Sequence, residues 1–314
     1  MMVVAYFHAP QENWIVDRFK QEWDNDNWDM SVLNPHAADV LWICADWCWR
    51  QLPIELLKER KVLVTCHHYV PSKFNEQEFR LRDQIVTAYH VPNKHTEAFI
   101  RPFTQRPIHV IPYWANQNIW KPSTEPRGAL RKKHGLPEAG YLIGSFQRDT
   151  EGSDLISPKL EKGPDLFADF AEKAYRSWEQ TVEIWGRSCG TNINWHPHVV
   201  LAGWRRQYVI SRLEKAKIPY SYIELPSQET TNELYQTLDL YPVTARQEGG
   251  PQSLIEAGLL GINVISRDVG IASEVLPASA INDDVSLATP AIPNIEHLKL
   301  PLGYERYREL IESL

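Results

Sequence analysis

The stretch Arg246-Gln247-Glu248-Gly249-Gly250-Pro251-Gln252-Ser253-Leu254-Ile255-Glu256-Ala257-Gly258-Leu259-Leu260-Gly261 combines a strand exit, a glycine pair, a helix start and two carboxylates. Its reading decides the fold. Residues 238–245 before it (LDLYPVTA) and residues 262–266 after it (INVIS) are short apolar runs, so the middle reads as the helix of a βαβ unit. Pro251 suits the first helical position, where no N–H is needed, and Gly261 suits a left-handed stop. A helix started this way aims the N–H groups between Gly250 and Ser253 out of the carboxyl edge of a parallel sheet, where open α/β folds bind ligands. Gly249 and Gly250 have no side chain to hold a phosphate off the backbone, whereas Glu248 and Glu256 would repel a bare phosphate. A ligand with both phosphates and hydroxyls satisfies both: the helix start takes phosphate and the carboxylates accept from sugar or ribose.

Glu248 and Glu256, with seven residues between them inside EGGPQSLIEAGLLGINVISRDVGIASEV, resemble the E-x7-E signature of retaining glycosyltransferases of the GT-B fold, glycosyltransferase family 4 and its relatives. The glycines, the Glu-Ala-Gly, the Gly-x-x-Val-Ile strand and the closing Ser273-Glu274-Val275 add to the likeness. The plainer reading is an ordinary βαβ unit with Glu256 as a solvated helix residue. Against it stands the apolar company of Glu256: Leu254, Ile255, Ala257, Leu259 and Leu260.

At 314 residues, 43% of them hydrophobic, the chain can build two packed domains. Its net charge of −7, with no basic run longer than Arg131-Lys132-Lys133, excludes a nucleic-acid-tracking surface. The opening residues lack a basic start and a signal-length apolar core, and no apolar run reaches the length of a membrane span, so a cytoplasmic location is expected. Four cysteines form no C-x-x-C pair, and Cys44 and Cys66 lie in strand-like apolar segments where free thiols pack. A zinc site from Cys48, Cys66, His67 and His68 is disfavoured because adjacent residues on a strand point to opposite faces.

In chain order, residues 3–7 read as a buried strand, followed by a helix from about Asn13 carrying Trp14, Phe19 and Trp23 inward. Strands are expected at residues 30–33, 39–44 and 62–66, with a helix over 52–61; the third strand delivers His67 and His68 to its carboxyl end. A strand at 85–91, a helix from Asn93 and a strand at 108–111 complete a doubly wound parallel sheet, and residues 116–127 read as a linker. The second sheet is expected to use strands at 141–146, 182–186 and 220–225, with a helix opening at Lys162-Gly163-Pro164 and another capped by Thr230 with Glu233. Residues 1–120 and 121–302 are thus read as two Rossmann-like domains, with a helical tail at 303–314 crossing back to the first.

The resemblance implies the roles. A hexose would move from a nucleoside-diphosphate sugar, UDP- or GDP-linked, to a hydroxyl acceptor (glycan, lipid or small molecule) in the cleft between domains, with retained configuration and no metal or further cofactor. Glu248 would contact the transferred sugar and Glu256 the ribose. Arg148, and Lys162 or its competitor Lys159, would grip the diphosphate together with Gly249, Gly250, Pro251, Gln252, Ser253 and Leu254. Gly186, Leu225 and Pro226 would line the nucleobase pocket, and His67 or His68 would stand at the cleft floor. The glycine-rich loop usual after the first strand is replaced here by His8-Ala9-Pro10-Gln11-Glu12-Asn13, and extra residues separate Arg148 from Lys162. Six of the twelve tryptophans precede residue 50, and Trp47 or Trp49 could stack on an acceptor sugar, although core packing accounts for most tryptophans. A non-catalytic nucleotide-sugar-binding or scaffold relative is the alternative. An epimerase of the same shape would need an acid/base set on both domains, which the sequence does not offer.

Overall fold

Short apolar runs separated by amphipathic segments fold here as parallel strands joined by helices, in two units: Met1–Trp114 with His297–Leu314, and Ala115–Glu296. The computed structural model describes residues 3–12, 15–152, 154–189 and 196–314, with the side chains of 181 and 183–189 left out. Asn13 and Trp14, where the first helix was expected to start, lie outside the described residues. Among the described residues no helix is long and apolar enough to cross a membrane.

The first unit contains β1 (Ala5–His8), α1 (Ile15–Asp26), β2 (Val40–Ile43), α2 (Ile54–Glu59), β3 (Lys61–Thr65), α3 (Glu76–Asp83), β4 (Ala88–Val91), α4 (Lys94–Ile100) and β5 (Ile108–Val110). Its five strands are parallel in the order β1-β2-β3-β4-β5. The strand expected at residues 30–33 is reduced to one parallel bridge, Ser31 with Ala5, on the other side of β1. It stops there because Leu33 is 80% exposed and Asn34 caps a 3-10 turn that begins at Pro35. Counting the bridge as a strand gives a doubly wound order of 2-1-3-4-5-6. Helix α3 was not anticipated: five of the eight residues of its EQEFRLRD are charged, and it buries only Phe79 and Arg82.

Aromatic packing joins the ends of this unit. Trp42 of β2 lies edge-on to Trp23 of α1 at 5.2 Å and stacks on Tyr307 at 5.3 Å. Tyr307 and Tyr304 belong to the terminal helix Leu302–Ser313, which also ties down through Arg308 to Asp29 at 2.6 Å. Trp114 packs on Tyr304 at 4.9 Å and donates its indole N–H to Glu22 at 2.6 Å. Aromatic pairs of this kind add to the area they bury, and the buried indole needs its acceptor.

The second unit runs α5 (Arg127–Lys133), β6 (Tyr141–Ser145), α6 (Pro164–Cys189), β7 (Pro197–Ala202), α7 (Gln207–Ala216), β8 (Tyr220–Ile223), α8 (Gln228–Thr237), β9 (Tyr241–Val243), α9 (Gln252–Leu260), β10 (Val264–Ser266) and α10 (Ala272–Val275). Strands β6-β7-β8 form one parallel sheet and β9-β10 another, joined where Ile143 bridges Leu240 and the Gly144 N–H donates to Leu240 O at 2.9 Å. Read across, the order is β8-β7-β6-β9-β10, which in unit numbering is 3-2-1-4-5. The order reverses between β6 and β9, and ligands of such sheets bind at the carboxyl ends of the two strands flanking that point.

Two expectations for this unit are corrected. Residues 182–186 are part of α6 rather than a strand, and the strand in question is β7, whose PHVVLA is buried at every position. Both segments have apolar β-formers; β7 wins because pairing with β6 on one side and β8 on the other requires a run apolar on both faces. Gly186 is therefore helical, and the residue at the strand end is Gly203, at φ +100°. Helix α8 is capped by Ser227, which accepts from the Thr230 N–H at 3.1 Å, and Glu233 instead binds Lys133 and His134 at 2.7 and 2.8 Å.

Candidate active site

Three strand exits of the second unit meet at its switch point. Helix α9 forms as its sequence demands, with Pro251 at the N-cap, one residue earlier than expected, and Gly261 left-handed at φ +70° behind the last turn. Its opening is held from below by Gly270 after β10: at φ +59°, an added Cβ would lie 2.4 Å from the Pro251 ring and 3.1 Å from Gly249 O. The Leu254 N–H donates to Pro251 O at 2.9 Å and its side chain is buried, while Gln252 and Ser253 are half-buried in the first turn. A helix opening leaves its first N–H groups outside the intrahelical ladder, so this end is suited to an anion, with the Leu254 N–H already given to Pro251 O.

The loop from β6 to α6 docks on the exit of β9. Arg246 N–H and Gln247 N–H donate to Glu161 O at 2.8 and 3.2 Å, and Thr244 Oγ1 donates to Gly163 O at 2.9 Å. Gly163 is left-handed at φ +63°, and a Cβ there would sit 1.9 Å from Thr244 O, so no other residue fits. Arg246 closes the contact with a forked pair to Asp165 at 2.8 and 2.6 Å.

This docking brings Lys162 to Glu248: Nζ to Oε1 is 2.6 Å, with the two side chains 20% and 15% exposed. Lys159 points elsewhere, 3.9 Å from Glu161. Gln147 supports Lys162 by donating to its carbonyl at 2.6 Å. Glu256, one turn into α9, accepts from the Tyr235 hydroxyl at 2.9 Å.

Arg148 follows β6, and its side-chain contacts are with Thr150 and Trp204 rather than with Lys162, Glu248 or Glu256. Its Nε donates to Thr150 O at 2.8 Å and its guanidinium lies 5.5 Å from the centre of the Trp204 ring, which Arg205 also covers at 3.9 Å. Below, Arg206 is 1% exposed and binds the buried Asp149 at 3.3 Å, Ala202 O and Ser145 Oγ at 2.8 Å each, and Ser145 O. Burial pushes the Asp149 carboxyl up and the Arg206 guanidinium down, each opposed by its partner. Trp204, Arg206 and Tyr235 were not singled out in the sequence. Arg206 in GWRRQ has the pattern of a solvated charge run, so only its distant partner reveals it. Leu225, expected at the nucleobase pocket, follows β8 at φ +47° and is 67% exposed, with Pro226 next to it.

In the first unit, His67 stands at the carboxyl end of β3. Burial lowers its pKa to about 4, so it is neutral, with Nε2–H donating to Cys44 O at 2.8 Å and Nδ1 accepting from the Tyr113 hydroxyl. Trp47 is 46% exposed with its ring 5.6 Å from that of His67. Trp49, in contrast, is buried and donates to Glu78 at 2.8 Å, so it is removed as a stacking platform. The segment replacing the glycine loop turns at Gln11, φ +60°, and the Gln11 and Glu12 N–H groups bind the Asp17 carboxylate at 2.8 and 3.0 Å. The thiols are otherwise engaged: Cys48 donates to Ala45 O at 2.9 Å, and Cys66 accepts from Tyr69 at 3.2 Å.

No protein-family model and no curated protein sequence matches the chain. Comparison with solved structures defines the class: an α/β protein with the GT-B fold of glycosyltransferases. In particular, HepE of Anabaena in complex with UDP-glucose is similar with a TM-score of 0.66 at 13% identity, over 92% of this chain and 88% of its own. Sucrose-phosphate synthase from Thermosynechococcus elongatus gives 0.57 at 13% identity over 87% and 66%. The lipopolysaccharide outer core galactosyltransferase WaaB in its apo form gives 0.54 at 13% identity over 97% and 82%.

Proposed function

We propose that the protein is a retaining glycosyltransferase that moves a hexose from a nucleoside-diphosphate sugar to a hydroxyl acceptor. The observation that carries this reading is the Lys162–Glu248 pair at the switch point, beside the opening of α9. One strand-exit cluster thereby offers a cation for a leaving diphosphate and a carboxylate for a sugar. The difficult step is departure of the nucleoside diphosphate, and stabilisation of its developing charge is what the site supplies. Lys162 and the α9 opening face that charge, and Arg148 adds a guanidinium whose terminal groups have no protein acceptor among the described residues. Because these fixed groups carry the charge, the reaction is assigned as metal-independent. Glu248 binds sugar hydroxyls and favours the oxocarbenium-like state; retention follows from front-side attack, with a leaving-group oxygen accepting the acceptor's proton. Glu256 holds the ribose.

Donor binding is assigned to the Ala115–Glu296 unit and acceptor binding to the Met1–Trp114 unit, with Trp47 as the exposed ring for an acceptor. The likeness to HepE with UDP-glucose favours a UDP-linked donor. A cytoplasmic location fits the three buried free thiols Cys44, Cys48 and Cys66. Thermal shifts with UDP, GDP, ADP and their sugar conjugates test the reading: a ligand at about 100 times its Kd stabilises by about 2.7 kcal/mol. No shift with any of them refutes it, and loss of turnover in EDTA refutes metal independence.

One observation favours a non-catalytic binding or scaffold role. The Gln11 and Glu12 N–H groups, at the position of the missing glycine loop, are taken by Asp17. Donor binding without release of free sugar or transfer to any acceptor would support that role.

A further inference from the structure

Tyr235 is 1% exposed, on α8, and its hydroxyl donates to Glu256 Oε2 across 21 residues of sequence at 2.9 Å. Its ring is wedged between Phe146, edge-on at 4.8 Å, Tyr241 at 5.1 Å and Trp120 at 6.0 Å. Tyr241 is itself fixed, because its hydroxyl accepts from the Phe146 N–H at 3.1 Å at the exit of β6. The phenol therefore has no freedom to follow Glu256; the carboxylate must come to it. Glutamate loses much rotamer freedom when ordered, so a carboxylate already held in one position spares the ligand that loss.

We infer that Tyr235 is a positioning residue: it holds Glu256 in the orientation that recognises a ribose diol, and so sets the preference for ribonucleotides over deoxyribonucleotides. The inference rests on the reading of Glu256 under the proposed function. Tyr235 itself touches no ligand; it acts through the carboxylate.

Calorimetric titration of wild type, Tyr235→Phe, Glu256→Ala and the double variant tests it, with UDP, GDP, their 2′-deoxy and 3′-deoxy forms, and inorganic pyrophosphate as probes. Wild type should prefer ribose by about tenfold, or about 1.4 kcal/mol. Tyr235→Phe should lose most of that preference with pyrophosphate affinity unchanged, and should have no further effect in the Glu256→Ala background. A Tyr235→Phe protein with wild-type preference, or one that loses pyrophosphate and UDP affinity in step, overturns the inference. Glu256→Asp draws the carboxylate back by one methylene without touching the buried ring, and it too should lose the preference; retention overturns the inference even if Tyr235→Phe fails to fold. A wild type that binds no nucleotide overturns the proposed function and this inference with it. Tight binding without ribose preference overturns the inference alone.

Discussion

Glu248→Gln keeps the shape of the side chain and removes its charge, and the pairing with Lys162 makes its consequences unequal for binding and for transfer. In the resting site the ammonium lies 2.6 Å from the carboxylate, both largely shielded from water. A hydrogen bond to a charged group at such a site is worth about 1.5–3 kcal/mol. A diphosphate must compete for Lys162 against that bond and also tolerate the nearby negative charge. Glutamine still accepts from Lys162, but the charge-assisted part of the bond and the repulsion of the ligand are both lost. If half of the bond's worth is released to the ligand, diphosphate affinity rises by about 1 kcal/mol, or about fivefold.

Transfer should move the other way. Without the carboxylate, the positive charge developing on the sugar loses its stabilisation, and the rate falls by about 10²-fold or more, about 2.7 kcal/mol. Titration with UDP and GDP, steady-state transfer from the preferred donor and a melting curve on the same preparation measure all three quantities. Unchanged or weaker diphosphate affinity at unchanged melting temperature would falsify the competition for Lys162. Wild-type transfer would remove Glu248 from the chemistry. Affinity and stability falling together would show that Glu248 only anchors its loop.

Lys162→Ala should weaken diphosphate binding and depress turnover further, since the leaving phosphate gains charge in the transition state, whereas Lys159→Ala should do neither; the reverse outcome in turnover assays reassigns the lysine. Gly163→Ala places a Cβ 1.9 Å from Thr244 O at φ +63°, so it should cost about 2–5 kcal/mol in chemical denaturation and abolish activity by displacing Lys162; a stable, active variant refutes the docking argument. Asp149→Ala strands the buried Arg206 and should destabilise by about 3–5 kcal/mol, with a loss under 1 kcal/mol counting against the pair. Burial lowers the pKa of His67 and His198 to about 4 and of His90 to about 3, below the unfolded value of about 6.5. The unfolded chain therefore binds more protons between about pH 6.5 and 4, so stability is full above pH 6.5 and falls on acidification by up to about 1.4 kcal/mol per pH unit per histidine. A flat denaturation midpoint across pH 7 to 5 refutes the neutral assignment.

What the sequence disclosed and what it hid divide along the range of the interactions involved. Helix α9 was legible because its signals are local: a proline at its opening, a left-handed glycine at its end and an apolar run on either side. Strand β7 was not, because residues 182–186 have comparable strand propensity and the choice depends on pairing with β6 and β8, which no window of either segment contains. Arg206 was hidden for the same reason, its buried partner Asp149 being 57 residues away.

Lys162 and Lys159 lie between these cases, and a local signal separates them. Of the two lysines only Lys162 directly precedes a glycine, and Gly163 is the one residue able to take φ +63° against Thr244 O. A lysine fixed to such a turn has its backbone position determined by the docking of the loop on β9, while one three residues earlier is placed by the loop's own path. The glycine thus specifies more than a bend: by allowing the backbones at 163 and 244 to touch, it decides which ammonium reaches Glu248. The residues between Arg148 and Lys159 can then vary the loop's length without moving Lys162 away from Glu248.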